Sequence, residues 1–132
     1  MRKILIILFT FLLITACHDK GQVVKPNNGP AHIMLLDTEC YFGILTSNSR
    51  IEEREIAIIN DGSEPLVIRD VQTSCHCTTV EYSKEPIKPG HFTMMKVKLD
   101  VSSLSVGEFV RTIDIYPKGG SPTTISVTGE KI

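Results

Sequence analysis

Residues 95–101 read Met-Lys-Val-Lys-Leu-Asp-Val, apolar and charged residues in unbroken alternation. Successive side chains of an extended chain point to opposite faces. One face of this stretch is therefore Met95, Val97, Leu99 and Val101, and the other is Lys96, Lys98 and Asp100. A helix, with a period of about 3.6, would scatter both sets around its circumference. The stretch is a strand with one side in a core and the other in water.

The same pattern recurs outward from it. Ile56 and Ile58 share a face, as do Leu66 and Ile68. Phe109, Ile113 and Ile115 alternate with Val110, Thr112 and Asp114, and Ile125 and Val127 with Thr124, Ser126 and Thr128. β-Branched residues fill these runs and suit a pleated surface. Asn60-Asp61-Gly62-Ser63, the proline-bearing stretch 84–90, Ser105-Val106-Gly107 and 118–122 separate them as turns. The pattern predicts about seven strands, near 41–45, 53–60, 66–71, 77–82, 93–101, 108–116 and 123–130, with a weaker one at 33–36. No helical period stands out, so the chain is all-β, a sandwich or barrel.

The N-terminus has another character. Arg2 and Lys3 precede an apolar run over residues 4–14 interrupted only by Thr10, followed by Thr15, Ala16 and Cys17. Basic start, short apolar core and small residues are the layout of a secretory signal peptide. The run is shorter than the ~20 residues a spanning helix needs. Leu13-Ile14-Thr15-Ala16-Cys17 also resembles the bacterial lipobox, which implies that residues 1–16 are removed and that Cys17 carries acyl chains into a membrane. No Asp follows Cys17 directly, which by analogy with lipoprotein sorting favours the outer over the inner membrane of a bacterial envelope. Residues 17–31 are polar and rich in Gly, Pro and Asn, and are expected to be a flexible tether. Residues 32–132 then form one domain.

Removing Arg2 and Lys3 from the 14 Lys+Arg leaves 12 against 15 Asp+Glu, a net charge of −3 with His neutral. With no basic block and no Trp, nothing here addresses nucleic acid. No Gly-x-Ser-x-Gly and no phosphate-binding glycine loop occurs. Glu52, Glu53 and Glu55, like Lys96 and Lys98, read as charged strand faces. Catalysis is not expected.

Six short motifs in order carry a family likeness: Phe42-Gly43-Ile44; Asn60 to Ile68 with Gly62 and Pro65; Ser74-Cys75-His76-Cys77-Thr78; Pro86-Ile87-Lys88-Pro89-Gly90; Gly107-Glu108-Phe109; and Ile125 to Gly129. Together they resemble a family of bacterial exported proteins, many of them lipoproteins, known as domain of unknown function fifteen seventy-three. The resemblance covers residues 41 to the C-terminus. It implies an immunoglobulin-like β-sandwich akin to PapD-like and ASH/Hydin-type domains, and no known activity. The family's usual Ser-Cys-Gly-Cys-Thr has His76 in place of glycine here. Cys40 and His91 lie outside its pattern.

With Cys17 assigned to lipid, Cys40, Cys75 and Cys77 remain, an odd number for an oxidising compartment. Four readings stay open. In an extended strand both Cys75 and Cys77 face the core and His76 faces water. Alternatively, Cys40 pairs with Cys75 or Cys77, or Cys75 pairs with Cys77 across a bend, since extended i and i+2 residues lie ~6.6 Å apart. A loop would let Cys75, His76 and Cys77 bind zinc or copper(I) with Cys40 or His91, although the spacing departs from common zinc patterns; no cofactor is otherwise expected. Last, His76 can lower a cysteine pKa for thiol chemistry. The reading that follows is a lipid-anchored module that binds or scaffolds. Its candidate partner-binding residues are Cys75, His76, Cys77, Thr78, Pro89 and Gly90, and the partner is an envelope protein or a polysaccharide-handling complex. The alternatives are a metal-handling or thiol-redox lipoprotein, or an architectural envelope component.

Overall fold

Eight strands are present in the computed structural model, which describes residues 23–27 and 29–132. They are β1 (Ile33–Leu35), β2 (Glu39–Leu45), β3 (Ile51–Asn60), β4 (Ile68–Thr73), β5 (Thr78–Glu81), β6 (Phe92–Asp100), β7 (Gly107–Pro117) and β8 (Thr123–Lys131). One sheet has the order β1-β3-β6-β5 and the other β2-β8-β7-β4. The weakly patterned stretch near residue 33 is a real strand, held by Ile33 opposite Asn60 and Leu35 opposite Ile58. All pairs are antiparallel except β2 with β8, where the register shifts between Tyr41 and Ile44. The expected signal peptide and Cys17 lie outside the described residues. Among those described, no helix is long and apolar enough to cross a membrane.

The core is what the alternation predicts. Ile58, Met95, Val97, Leu99, Ile113, Ile115, Ile125 and Val127 are fully buried between the two sheets. Phe42 and Cys40 of β2, Ile68 of β4 and Phe109 of β7 join them. The charged partners sit outside, where Glu53 pairs with Lys96 at 3.6 Å and Lys98 at 3.5 Å.

Several strand ends differ from the sequence reading by one or two residues, and two of them have a visible cause. Leu66 lies outside β4 and makes an isolated bridge to Ile87, each backbone N–H donating to the other's carbonyl at 2.9 and 2.8 Å. Pro65 and Pro86 precede the two bridge residues and lack the N–H that would extend a ladder. At the far end, Val101 leaves β6 for a 3-10 turn, Val101–Ser103, because the Asp100 carboxylate accepts from the Ser102 N–H and both serine hydroxyls.

One end of the sandwich is organised by Asn60, which has no exposed surface. Its Nδ2 donates to the carbonyls of Glu64 and Ile87 at 2.7 and 2.9 Å. Its Oδ1 accepts from Gly62 N–H at 3.0 Å and His32 N–H at 3.5 Å. The backbone of Asn60 donates to His91 and accepts from Gly90. Gly90 has φ +75°, a conformation other residues rarely hold. Its carbonyl in turn accepts from the N–H groups of Val23 and Val24 at 2.8 and 3.2 Å.

Residues 23–27 and 29–31, part of the expected tether, therefore lie against the domain. Asn27 donates to Asp61, and Ser63 donates to Gly29 through both N–H and hydroxyl. Pro30 passes so close to Gly62 that a Cβ there would collide with its carbonyl oxygen. Backbone groups do most of this holding, which a polar composition does not reveal.

Asn60→Ala should destabilise the domain by roughly 2–4 kcal/mol, since it removes four side-chain hydrogen bonds to loop backbone at once. Urea unfolding of the fragment from His18 onward measures it. A change below about 1 kcal/mol would show that the amide is not the organising group.

Candidate functional site

Strand β4 ends at Thr73 in one sheet and β5 begins at Thr78 in the other, so only Ser74-Cys75-His76-Cys77 crosses the gap. These four residues cross as a turn and not as extended chain. Ser74 N–H donates to Thr112 O at 3.0 Å, and its hydroxyl accepts from Thr112 N–H at 2.8 Å, which finishes the β4–β7 ladder with a side chain. The chain then turns, closed by Thr78 N–H donating to Cys75 O at 3.1 Å. The Thr73 hydroxyl donates to the same carbonyl at 3.2 Å. On the far side Asp100 N–H donates to Cys77 O at 2.8 Å.

This turn brings the Cα atoms of Cys75 and Cys77 to 5.1 Å, and the two are joined by a disulfide. The bend that such a bond requires is thus supplied by the crossing between sheets. The extended arrangement, with two free sulfurs on one face, does not occur. Packing nevertheless holds for Cys77, which is buried in the core, while Cys75 is half-buried against it. His76 stands exposed at the tip of the turn. Among the described residues only glycines have positive φ, so histidine replaces the family's glycine without backbone strain. What it adds is a side chain facing outward.

Cys40 is a free, buried thiol in β2. β2 and β4 are the two outer strands of one four-stranded sheet, three strand spacings or roughly 14 Å apart. The loop leaves from the far edge of that sheet, and its two cysteines are bonded to each other, so Cys40 pairs with neither Cys75 nor Cys77. Burial pushes the Cys40 thiol above its ordinary pKa, and the Arg54 guanidinium opposes this weakly. Arg54 lies 5.1 Å from the Phe42 ring centre and donates to Phe42 O at 3.3 Å. It fills the seam between the sheets beside a cavity of about 360 Å3 that Cys40, Tyr41 and Glu55 also line.

The remaining candidate residues are elsewhere. His91, Pro89 and Gly90 belong to the Asn60 end, and β6 runs its full length, roughly 25–30 Å, between them and Cys77. His91 Nδ1 is 2.9 Å from Pro89 O. Gly90 is buried and its backbone groups are taken up within the domain. The metal set of Cys75, His76 and Cys77 with Cys40 or His91 is not assembled, and both loop sulfurs are already bonded to each other. The candidate site thus contracts to the loop Ser74–Cys77 and the edge strand β5 that starts from it. Ser74 escaped the sequence reading as an active participant, although a serine between a strand and a turn is a common capping signal. Along β5, the exposed Glu81 carboxylate accepts from Lys98, which holds Glu81 below and Lys98 above their usual ranges.

A family model described as "Protein of unknown function (DUF1573)" matches residues 33–131. The chain belongs to this family. The DUF1573 domain here is similar in structure to a protein of unknown function from Porphyromonas gingivalis W83, at TM-score 0.67 and 22% identity, covering 77% of this chain and 47% of that one. It is similar to the ASH/PapD-like domain 7 of human CEP192, at TM-score 0.60 and 9% identity over 86% and 95% of the two chains. The Pseudomonas aeruginosa CupB2 chaperone matches at TM-score 0.56 and 9% identity, over 74% and 55%. These likenesses show a PapD-like, immunoglobulin-like sandwich. The chain spans about half or less of the first solved structures it matches, 47% and 31% of their lengths. No curated protein matches it in sequence.

Thiol counting checks the cysteine assignment on the fragment from His18 onward, produced in an oxidising periplasm. The native protein should show no fast-reacting thiol, the unfolded unreduced protein one, and the unfolded reduced protein three. Three thiols without reductant would remove the disulfide from the account.

Proposed function

We propose that this chain is an envelope lipoprotein, anchored through Cys17, whose sandwich binds or scaffolds a protein partner and performs no turnover. The order of Arg2-Lys3, the apolar residues 4–14 and Thr15-Ala16-Cys17 supports the anchoring in a bacterial envelope, and His18 rather than Asp directly after Cys17 favours the outer over the inner membrane. The observation that carries the binding role is the crossing loop. It is closed by the Cys75–Cys77 disulfide, tied to both sheets, and presents His76 outward beside the four-residue edge of β5. A rigid loop loses little entropy when a partner settles on it. An unpaired strand edge offers backbone groups to an extended segment. The half-buried Thr73, Cys75 and Val80 and the exposed His76 and Thr79 frame that surface.

A second reading rests on one contact: Cys77 N–H donates to Cys75 Sγ at 3.0 Å. A donor held on that sulfur stabilises its thiolate after reduction, as thiol–disulfide exchange requires.

One experiment separates the two. A photo-crosslinking residue is placed at His76 or Thr79 of the full chain in cells, with Val110 on the other sheet as control. Discrete adducts from the first two positions and not from Val110 are expected. The Cys75→Ala/Cys77→Ala variant should keep those adducts and lose only about 1–2 kcal/mol of stability, because the disulfide closes a very short loop. Loss of the adducts, with Cys77→Ala trapping a mixed disulfide on Cys75, would favour exchange chemistry. Uniform labelling at all three positions would overturn the proposed surface.

A further inference from the structure

The outer face of the β1-β3-β6-β5 sheet is divided along its length. Toward β5 and the disulfide loop it carries Glu53, Glu55, Lys96, Lys98 and Glu81, pairing across strands. Toward the Asn60 end the same face turns apolar. The register sets Met34, Ile59 and Phe92 in one row and Ala57 and Met94 in the next. Val23 and Val24, fixed by the Gly90 carbonyl, lie over this half and with Leu36 and Phe92 enclose a groove of about 300 Å3. Ile59 is covered, but Val23 is 52% exposed, Leu36 72%, Phe92 44% and Met94 41%. A contiguous apolar patch on an otherwise charged face marks an interaction surface.

The chain itself indicates what meets it. Val23 is the sixth residue after Cys17, and six extended residues reach only about 20 Å. The chain enters the domain at this patch, so a lipid on Cys17 holds the patch within about 20 Å of the bilayer. A tether this short presents the membrane surface at high effective concentration. Lys25 and Lys88 stand exposed beside the Val23–Gly90 junction, where basic side chains suit phosphate headgroups.

We propose that the patch formed by Val23, Leu36, Phe92 and Met94 rests on the lipid surface to which Cys17 is anchored, and fixes the orientation of the domain. The inference rests on the anchoring reading above. Acyl chains hold the protein, and the patch selects which side faces the bilayer. The loop at Cys75–Cys77 then points away from the membrane, at the far end of β6.

The chain contains no tryptophan, so one introduced indole reports alone. Phe92→Trp and, separately, Met94→Trp are made in the full lipidated chain. A control carries Val110→Trp, on the outer face of the other sheet, where the valine is 63% exposed. Each is reconstituted into phosphatidylethanolamine and phosphatidylglycerol vesicles containing a brominated phosphatidylcholine. Emission from the Phe92→Trp and Met94→Trp variants should shift to the blue and fall by half or more through bromine quenching, while the Val110→Trp control should keep its emission. Flotation with the vesicles but no quenching in either patch variant would overturn the inference and leave the anchoring intact. Failure to float would overturn the anchoring, and the inference with it. A blue shift that follows protein concentration without quenching would assign the patch to a second copy of the chain and overturn the membrane assignment. Two reporter positions guard against one variant failing to fold.

Discussion

A buried carboxamide can form four hydrogen bonds, and Asn60 forms all four. Each goes to the backbone of a turn or loop: Gly62 and Glu64 after β3, Ile87 before β6, whose carbonyl also accepts from Leu66, and His32 ahead of β1. An unpaired buried peptide group costs enough that loops normally stay at the surface. Asn60 lowers that cost for three segments together, beside the buried Leu66 and Ile87. The Gly90 turn then lies where its carbonyl can hold Val23 and Val24. The Asn60 side chain closes this end, and backbone groups around it dock the N-terminal segment.

The opposite end is built differently. There the chain changes sheets in four residues, and covalent closure plus a serine cap replace an amide hub. The outcome is a small, rigid projection with a histidine at its tip, separated from the Asn60 end by the length of β6. The candidate residues read from the sequence as one recognition region are therefore two regions of different kinds. One is saturated by its own chain, and the other presents side chains outward.

What was legible depended on which forces write themselves into side-chain order. Burial does, so β3, β6, β7 and β8 run within two residues of their expected limits, and Ile113, Ile115, Ile125 and Val127 sit where alternation places them. Backbone hydrogen bonding does not, so the docking of residues 23–27 was hidden by a composition that resembles a free tether. Nor does the end of a ladder: Leu66 and Cys77 continue the apolar pattern of their strands, yet a proline and a turn exclude them. The pairing among Cys40, Cys75 and Cys77 required knowing that β2 and β4 occupy opposite edges of one sheet, which no local pattern carries.

The separation of Cys40 from the other two cysteines also bears on how the chain matures. Cys40, Cys75 and Cys77 can pair in three different ways. Closure of a loop becomes entropically harder as it lengthens, and a bond from Cys40 would span more than thirty residues against the two-residue step from Cys75 to Cys77. The native bond closes the shortest loop of the three, and the turn between the sheets supplies the bend it needs. Cys40 is enclosed in β2 as a free thiol, apart from the two sulfurs that are bonded to each other.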